Sequence, residues 1–280
     1  MDTRPVLFLD SGIGGIPYCR YFLGRNPGER VVYLADRQHF PYGRRDRNEL
    51  TAILTALVEK VIAAWNPKIA VLACNTATVS ALAALREYFP GLPFVGTVPA
   101  LKPAALASKT GKVGVLGTER TIEDSYIRVL AAQNGIDDLR GIAAPALVEF
   151  VEHRLDAAGE DEKLEMARQY LRPFRDAGVD ALVLGCTHFL FLLDEFRREA
   201  RPDIAVFESI DGITRRIETL LGDIDRDASC AASGGAAQQA AEQGRSRLLL
   251  TGSAVPEDSW RQWACRLDFD LSPLEAACGV

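Results

Sequence analysis

Short apolar runs punctuate the whole chain: PVLFLD, VVYLAD, IAVLAC, LPFVGT, KVGVLGT, ALVLGC, IAVFES and RLLLTG. Stretches of helical character separate them, and that alternation predicts an α/β fold with mainly parallel strands. In NELTAILTALVEKVIAAW the apolar positions recur with helical period, which puts Ile53, Leu54, Leu57, Val58, Val61 and Ile62 on one face and predicts that they are core. Residues 222–247, rich in Ala, Gly, Ser and Gln, lack such periodicity and read as an exposed loop or linker. Beyond them, LLLTGSAVPEDSWRQWACRL predicts a strand, a turn and a helix starting near Pro256 with Glu257 and Asp258 at its start.

The apolar runs also repeat. VLFLDSGIGG (6–15) resembles KVGVLGTERT (112–121), and IAVLACNT (69–76) resembles DALVLGCT (180–187). The spacing is nearly constant, 108 residues from Asp10 to Thr118 and 112 from Cys74 to Cys186. Two similar α/β halves would set equivalent strand ends on opposite walls of one cleft, where open α/β sheets bind ligands. Chance likeness between apolar strands is the plain alternative.

Composition narrows the partners. The chain has 280 residues, 48% hydrophobic and 25% charged, with a net charge of −6. These are the proportions of an ordinary globular protein, and the negative balance disfavours nucleic acid. The first apolar run is interrupted by Asp10, too early for a secretory signal, and no run reaches membrane-spanning length. Six cysteines are spread without the dense spacing of a disulfide scaffold, which points to a reducing cytoplasm. No C-x-x-C pair supports a metal site.

Two of those cysteines, Cys74 and Cys186, end strands at matching places in the repeat. Polar residues follow each, and Asn75, Thr76 and Thr187 are candidate helix caps beside free first-turn amides, a setting that favours a carboxylate. A thiol titrates near ~8.5, and a helix terminus contributes only roughly 0.3–1 kcal/mol against the ~1.4 kcal/mol that one pKa unit needs. Neighbours must therefore assist. His188, two residues beyond Cys186, and Asp10, at the end of the first strand, are the candidates. A single such cysteine would suggest a nucleophile; two, opposed across a bound carbon, can remove a proton from one face and return one to the other. Buried inert cysteines are the plain alternative.

Six motifs in order carry a resemblance: FLDSGIGG (8–15), ADRQHFPYG (35–43), ACNTATVSAL (73–82), VGVLGTERT (113–121), LVEFVEH (147–153) and LVLGCTHFLFL (182–192). From about residue 5 to 221, and over the last strand and helix, the chain resembles the cofactor-independent glutamate racemases of the aspartate/glutamate racemase superfamily. The resemblance implies two similar α/β domains related by a pseudo-twofold axis, residues 1–97 with 211–280 and residues 98–210, with the active site between them. It also implies interconversion of L- and D-glutamate without pyridoxal phosphate, other cofactor or metal, supplying D-glutamate to peptidoglycan. Cys74 would take the α-proton from D-glutamate and Cys186 from L-glutamate, with Asp10 and His188 assisting and Glu152 a nearby acidic group. Asp10, Ser11, Asn75, Thr76, Thr187 and His188 match substrate-binding positions, Pro41, Tyr42 and Gly43 the side-chain end, and Thr118 the opposite domain. A homodimer is compatible with it.

The sequence departs from the family at Arg37 and the RQH loop, which bear on pocket entry or side-chain preference, at the shortened crossing 95–105, and at Glu149, where proline is common. DSGIGGIP fails the dinucleotide template because position 17 is Pro, so its glycines are expected to let backbone approach a small ligand. Plain alternatives stand beside the others: Asp10 as a helix cap, Glu152 as a surface ion pair, Tyr42 as a half-buried turn aromatic, Arg37 as a solvated charge, and His39 and His153 as surface residues. Two further functions remain open at this point, a racemase for aspartate or another amino acid, and a silent racemase-like protein binding a partner such as DNA gyrase.

Overall fold

The computed structural model describes residues 2–231, 245–252 and 256–278. Ten strands run through them: β1 (Val6–Asp10), β2 (Val31–Ala35), β3 (Ile69–Leu72), β4 (Phe94–Gly96), β5 (Lys112–Gly117), β6 (Asp138–Ala143), β7 (Ala181–Leu184), β8 (Ala205–Phe207), β9 (Arg247–Leu250) and β10 (Asp270–Pro273). They form two sheets, in the orders β10-β9-β2-β1-β3-β4 and β6-β5-β7-β8, and every pairing is parallel. All eight apolar runs are strands. The two that the hydrophobic pattern missed, β6 and β10, are partly exposed edge strands carrying Asp, Arg or Ser, so they lack a continuous apolar signal. The order β2-β1-β3-β4 recurs as β6-β5-β7-β8, which makes β5 the counterpart of β1 and β7 of β3, as the repeat anticipates.

The first half carries α1 (Ile16–Arg25), α2 (Arg47–Trp65), α3 (Asn75–Tyr88) and α4 (Leu101–Ala107) between or after its strands. The second carries α5 (Glu119–Glu123), α6 (Ser125–Gln133), α7 (Pro145–His153), α8 (Glu160–Asp176) and α9 (Leu193–Ala200), and the chain continues with α10 (Ile210–Ala231), α11 (Asp258–Leu267) and α12 (Leu274–Ala277). Asp46 caps α2 by accepting from the Asn48 and Glu49 amides, and Asn66 ends it in a left-handed turn. Leu50, Leu54, Leu57, Val58 and Val61 of α2 are buried, while Ile53 and Ile62 lie half-buried at the rim of that face. One expectation is corrected: the segment read as a linker from residue 222 begins as helix, because α10 runs to Ala231. Most of the remainder of that segment, residues 232–244, lies outside the described residues.

Along β1 the strand period of two sends Val6 and Phe8 to one face and Leu7 and Leu9 to the other. The first face joins Leu116 of β5, Leu184 of β7 and Leu147, Val148 and Phe189 of the second half in one apolar cluster. The outer faces are filled separately, by α2 and α3 over the first sheet and by Leu101 and Ile127 over the second. The two sheets therefore share a core, which fixes how their strand ends meet.

Candidate active site

Each central strand delivers a candidate site residue at or just beyond its carboxyl end: Asp10 from β1, Cys74 beyond β3, Thr118 beyond β5 and Cys186 beyond β7. In parallel sheets the crevice beyond those ends is the natural ligand site, and here one pocket collects both sets. Of the residues expected at the site, Ser11, Pro41, Tyr42, Gly43, Cys74, Asn75, Thr76, Thr118, Cys186, Thr187 and His188 line it. Asp10 and Glu152 do not line the pocket; they stand behind it. Arg44, Glu119, Pro145, Val148 and Glu149 also line it and were missed. Three of these were accessible in principle, since 145, 148, 149 and 152 form one helical stripe along α7.

The polar starters after each cysteine do not cap. Cys74 itself occupies the cap position of α3 with extended backbone, and Cys186 that of a 3₁₀ helix at Thr187–Leu192. Asn75 and Thr76 are thereby in the first turn, and their side chains are free for the pocket. Asn75 Oδ1 is buried without a partner, an open acceptor. Thr76 Oγ1 lies 2.9 Å from Thr118 Oγ1, bridging the halves, while Thr118 also accepts from the Thr121 amide and caps α5. Thr187 Oγ1 donates to Asp10 Oδ2 at 3.1 Å, a second bridge.

Asp10 is buried and accepts from the Gly12 amide at 2.8 Å; it does not cap α1, whose cap is Gly15. Burial raises its pKa to about 6, helped by the charge of Glu152 and opposed by His188, the Gly12 N–H and the Thr187 hydroxyl. Cys74 is pushed well above the ordinary thiol range, first by burial and then by the charge of Asp10, and the amides of Ala77 and Thr76 that favour its thiolate do not offset this. Cys74 is therefore held as a protonated thiol, with Asp10 disfavouring its ionisation.

On the other wall, His188 Nδ1 is 3.9 Å from Cys186 Sγ, and Nε2–H donates to Glu152 Oε2 at 2.9 Å. Burial alone would lower the pKa of His188, but the bonds to Cys186 and Glu152 and the charge of Asp10 outweigh it, holding it well above the usual range. The imidazole thus stands between the sulfur of Cys186 and the carboxylate of Glu152. Glu152, far from being a surface ion pair, is nearly buried and also accepts from the Ile13 amide at 3.1 Å. The glycines of DSGIGG serve these contacts: a Cβ on Gly12 would lie 2.4 Å from Glu152 and one on Gly14 2.5 Å from His188 Nδ1. At Gly12 and Gly14 the close approach is to side chains of the opposite half, while Gly15 packs against Ala73 and Tyr33 of its own.

The loop forming the remaining wall is tied to a buried carboxylate. Asp36, fully buried, accepts from Tyr42 Oη at 2.8 Å, Thr251 Oγ1 at 2.6 Å and His39 Nδ1 at 2.9 Å. His39 is thus part of the loop's framework and Tyr42 is buried, whereas His153 is exposed. Arg37, expected to alter the pocket entrance, does not line the pocket; it pairs with Glu257 and lies over Trp260 beside a neighbouring cavity. Among the described residues no group of three His, Cys, Asp or Glu side chains is placed to hold a metal ion, and no helix is long and apolar enough to cross a membrane.

Residues 25–217 match the model of the family described as Asp/Glu/Hydantoin racemase. The chain belongs to that family. Within it, a glutamate racemase of a Roseiflexus species is 39% identical over 79% of this racemase and 80% of its own length, and one of Treponema pallidum is 40% identical over 75% and 78%. Among solved structures, Escherichia coli glutamate racemase, in complex with L-glutamate and the activator UDP-MurNAc-Ala, superposes with a TM-score of 0.81 at 30% identity, covering 96% of this racemase and 97% of that chain. A glutamate racemase isoform of Bacillus anthracis superposes with a TM-score of 0.76 at 27% identity, covering 98% and 97%.

Proposed function

We propose that this racemase interconverts L- and D-glutamate by transferring protons between two cysteines, and so supplies D-glutamate for peptidoglycan in the cytoplasm. The observation that carries the reading is the pair of thiols, Cys74 and Cys186, at equivalent strand ends of two equivalent sheets and lining one pocket. In the L to D direction, Cys186 as thiolate takes the α-proton and becomes a thiol; the electron pair is held by the α-carboxylate; Cys74 gives its proton to the opposite face and becomes a thiolate. The protonated state of Cys74 and the charged His188 beside Cys186 suit that starting point. In this reading Asp10 and the Glu152–His188 pair act behind the thiols, each on its own side. The reverse direction begins with Cys74 ionised.

A substrate carrying an ammonium and two carboxylates suits the remaining groups. The unpartnered Asn75 Oδ1 is an acceptor for the ammonium, and Ser11, Thr76 and Thr118 supply hydroxyl donors for carboxylates, while the Thr187 hydroxyl stays on Asp10. Pro41, Tyr42 and Gly43 form the wall at the side-chain end. Donors already aimed at the α-carboxylate favour the charge that builds there in the transition state. The division into residues 1–97 with 211–280 and residues 98–210 follows the two sheets, and a homodimer is compatible with this fold. With Arg37 outside the pocket, the observation that kept an aspartate racemase in view is gone.

The test is incubation of purified protein with L- or D-glutamate in deuterated water, with chelator and no added cofactor, following optical rotation and α-deuterium. Racemisation with deuterium in the product supports the two-thiol reading. Cys74→Ala and Cys186→Ala should each lower full racemisation by at least about 10³-fold while leaving the fold intact. Near-wild-type turnover in either variant would sink it.

A further inference from the structure

Toward solvent the pocket changes character. Its floor consists of buried groups, among them Cys74, Asn75, Cys186 and Thr187, whereas three charged side chains, Arg44, Glu119 and Glu149, form its outer rim. Arg44 follows the Tyr42–Gly43 wall of the first half, and Glu149 stands on α7 of the second. Arg44 Nη2 lies 3.6 Å from Glu149 Oε1, with the two side chains 61% and 38% exposed. His153 Nε2, one turn further along α7, is 3.5 Å from the other oxygen of Glu149.

At that length and exposure the ion pair is loose and exchanges partners at little cost. It nevertheless spans the two halves at the pocket entrance, and among the described lining residues Arg44 is the one Lys or Arg. Two carboxylates on the rim repel a dicarboxylate ligand, and the guanidinium is the group that offsets them. We propose that Arg44 and Glu149 form a charge-exchange gate, in which Arg44 leaves Glu149 to meet the distal carboxylate of the entering amino acid. This rests on the reading that the substrate is glutamate. A planar guanidinium trades one carboxylate for another without loss of geometry, and its field, reaching about a Debye length of ~8–10 Å, draws an acidic ligand in. A neutral side chain gains nothing by displacing Glu149, so the same pair favours acidic substrates over their amides.

The experiment is steady-state racemisation of L-glutamate by wild type, Arg44→Gln, Glu149→Gln and the double variant, at low and high salt, with thermal melting to check the fold. Arg44→Gln should raise KM about two- to fivefold at low salt, with the difference shrinking at high salt. Glu149→Gln should lower KM, and the double variant should fall between the singles. An unchanged KM in Arg44→Gln, or a rise in Glu149→Gln equal to that in Arg44→Gln, overturns the gate, the latter because the pair would then be only a strut. Wild type silent on glutamate removes the substrate reading and the gate with it, whereas an active wild type with an unaffected Arg44→Gln removes the gate alone.

Discussion

At the scale of single residues, the site is a set of buried charges held against their own preference. Asp10 shows this best, since its folded-state pKa of about 6 exceeds the 3.8 of an ordinary aspartate. A raised pKa means the folded state binds the proton more tightly than the unfolded one. The associated stability is fully present below about pH 4 and is lost as pH rises through about 6, to a total of roughly 3 kcal/mol. Asp10→Asn should therefore be more stable than wild type at pH 7 to 8, equal to it below about pH 4, and severely impaired in turnover. Chemical denaturation across that pH range checks it, and a variant less stable at pH 8 would contradict the assignment. Cys74, Cys186 and Asp10 were legible as strand-end residues because apolar runs stop on them. The partners of Glu152 and of the backbone around Gly12 and Gly14 were not legible, because they lie far along the chain: Ile13 is 139 residues from Glu152.

At the scale of elements, the pocket wall from Pro41 to Gly43 depends on a carboxylate that no apolar pattern marks. Asp36 follows β2 and gathers Tyr42, His39 and Thr251, the last from just beyond β9, so it ties two neighbouring strands to the loop. Asp36→Ala leaves at least the Tyr42 and Thr251 hydroxyls without their acceptor. It should cost about 3 kcal/mol of stability and raise KM for the substrate, as denaturant midpoints and steady-state kinetics would report. A fall in stability with an unaltered KM would show that the wall stands without it. Strands and long helices were legible where apolar runs or helical stripes were continuous, as in β1, β3 and α2. The edge strands β6 and β10 and the helical start of the segment from residue 222 were not, since polar edges and the Asp-rich stretch GDIDRDASCA carry weak apolar signal.

For the whole molecule, the shared core is the decisive feature. One apolar cluster includes Val6 and Phe8 of the first sheet with Leu116 and Leu184 of the second. Halves joined by such an interface should unfold together, so urea denaturation followed by fluorescence and circular dichroism is expected to give one coincident transition. Two separated transitions would show halves that are stable alone. The sequence by itself determined the strand order of events along the chain: which runs become parallel strands, where each stops, and that two similar halves each end a strand on a cysteine. Those properties are local, written in hydrophobic period and in the residues that interrupt it. Only the tertiary structure decided that Asp10 meets Thr187, that Glu152 turns inward to His188, that Arg37 leaves the pocket, and that Arg44 and Glu149 face each other at its rim. The pairings between halves depend on how the two sheets pack through their shared core, and the placement of Arg37 on how its loop meets α11.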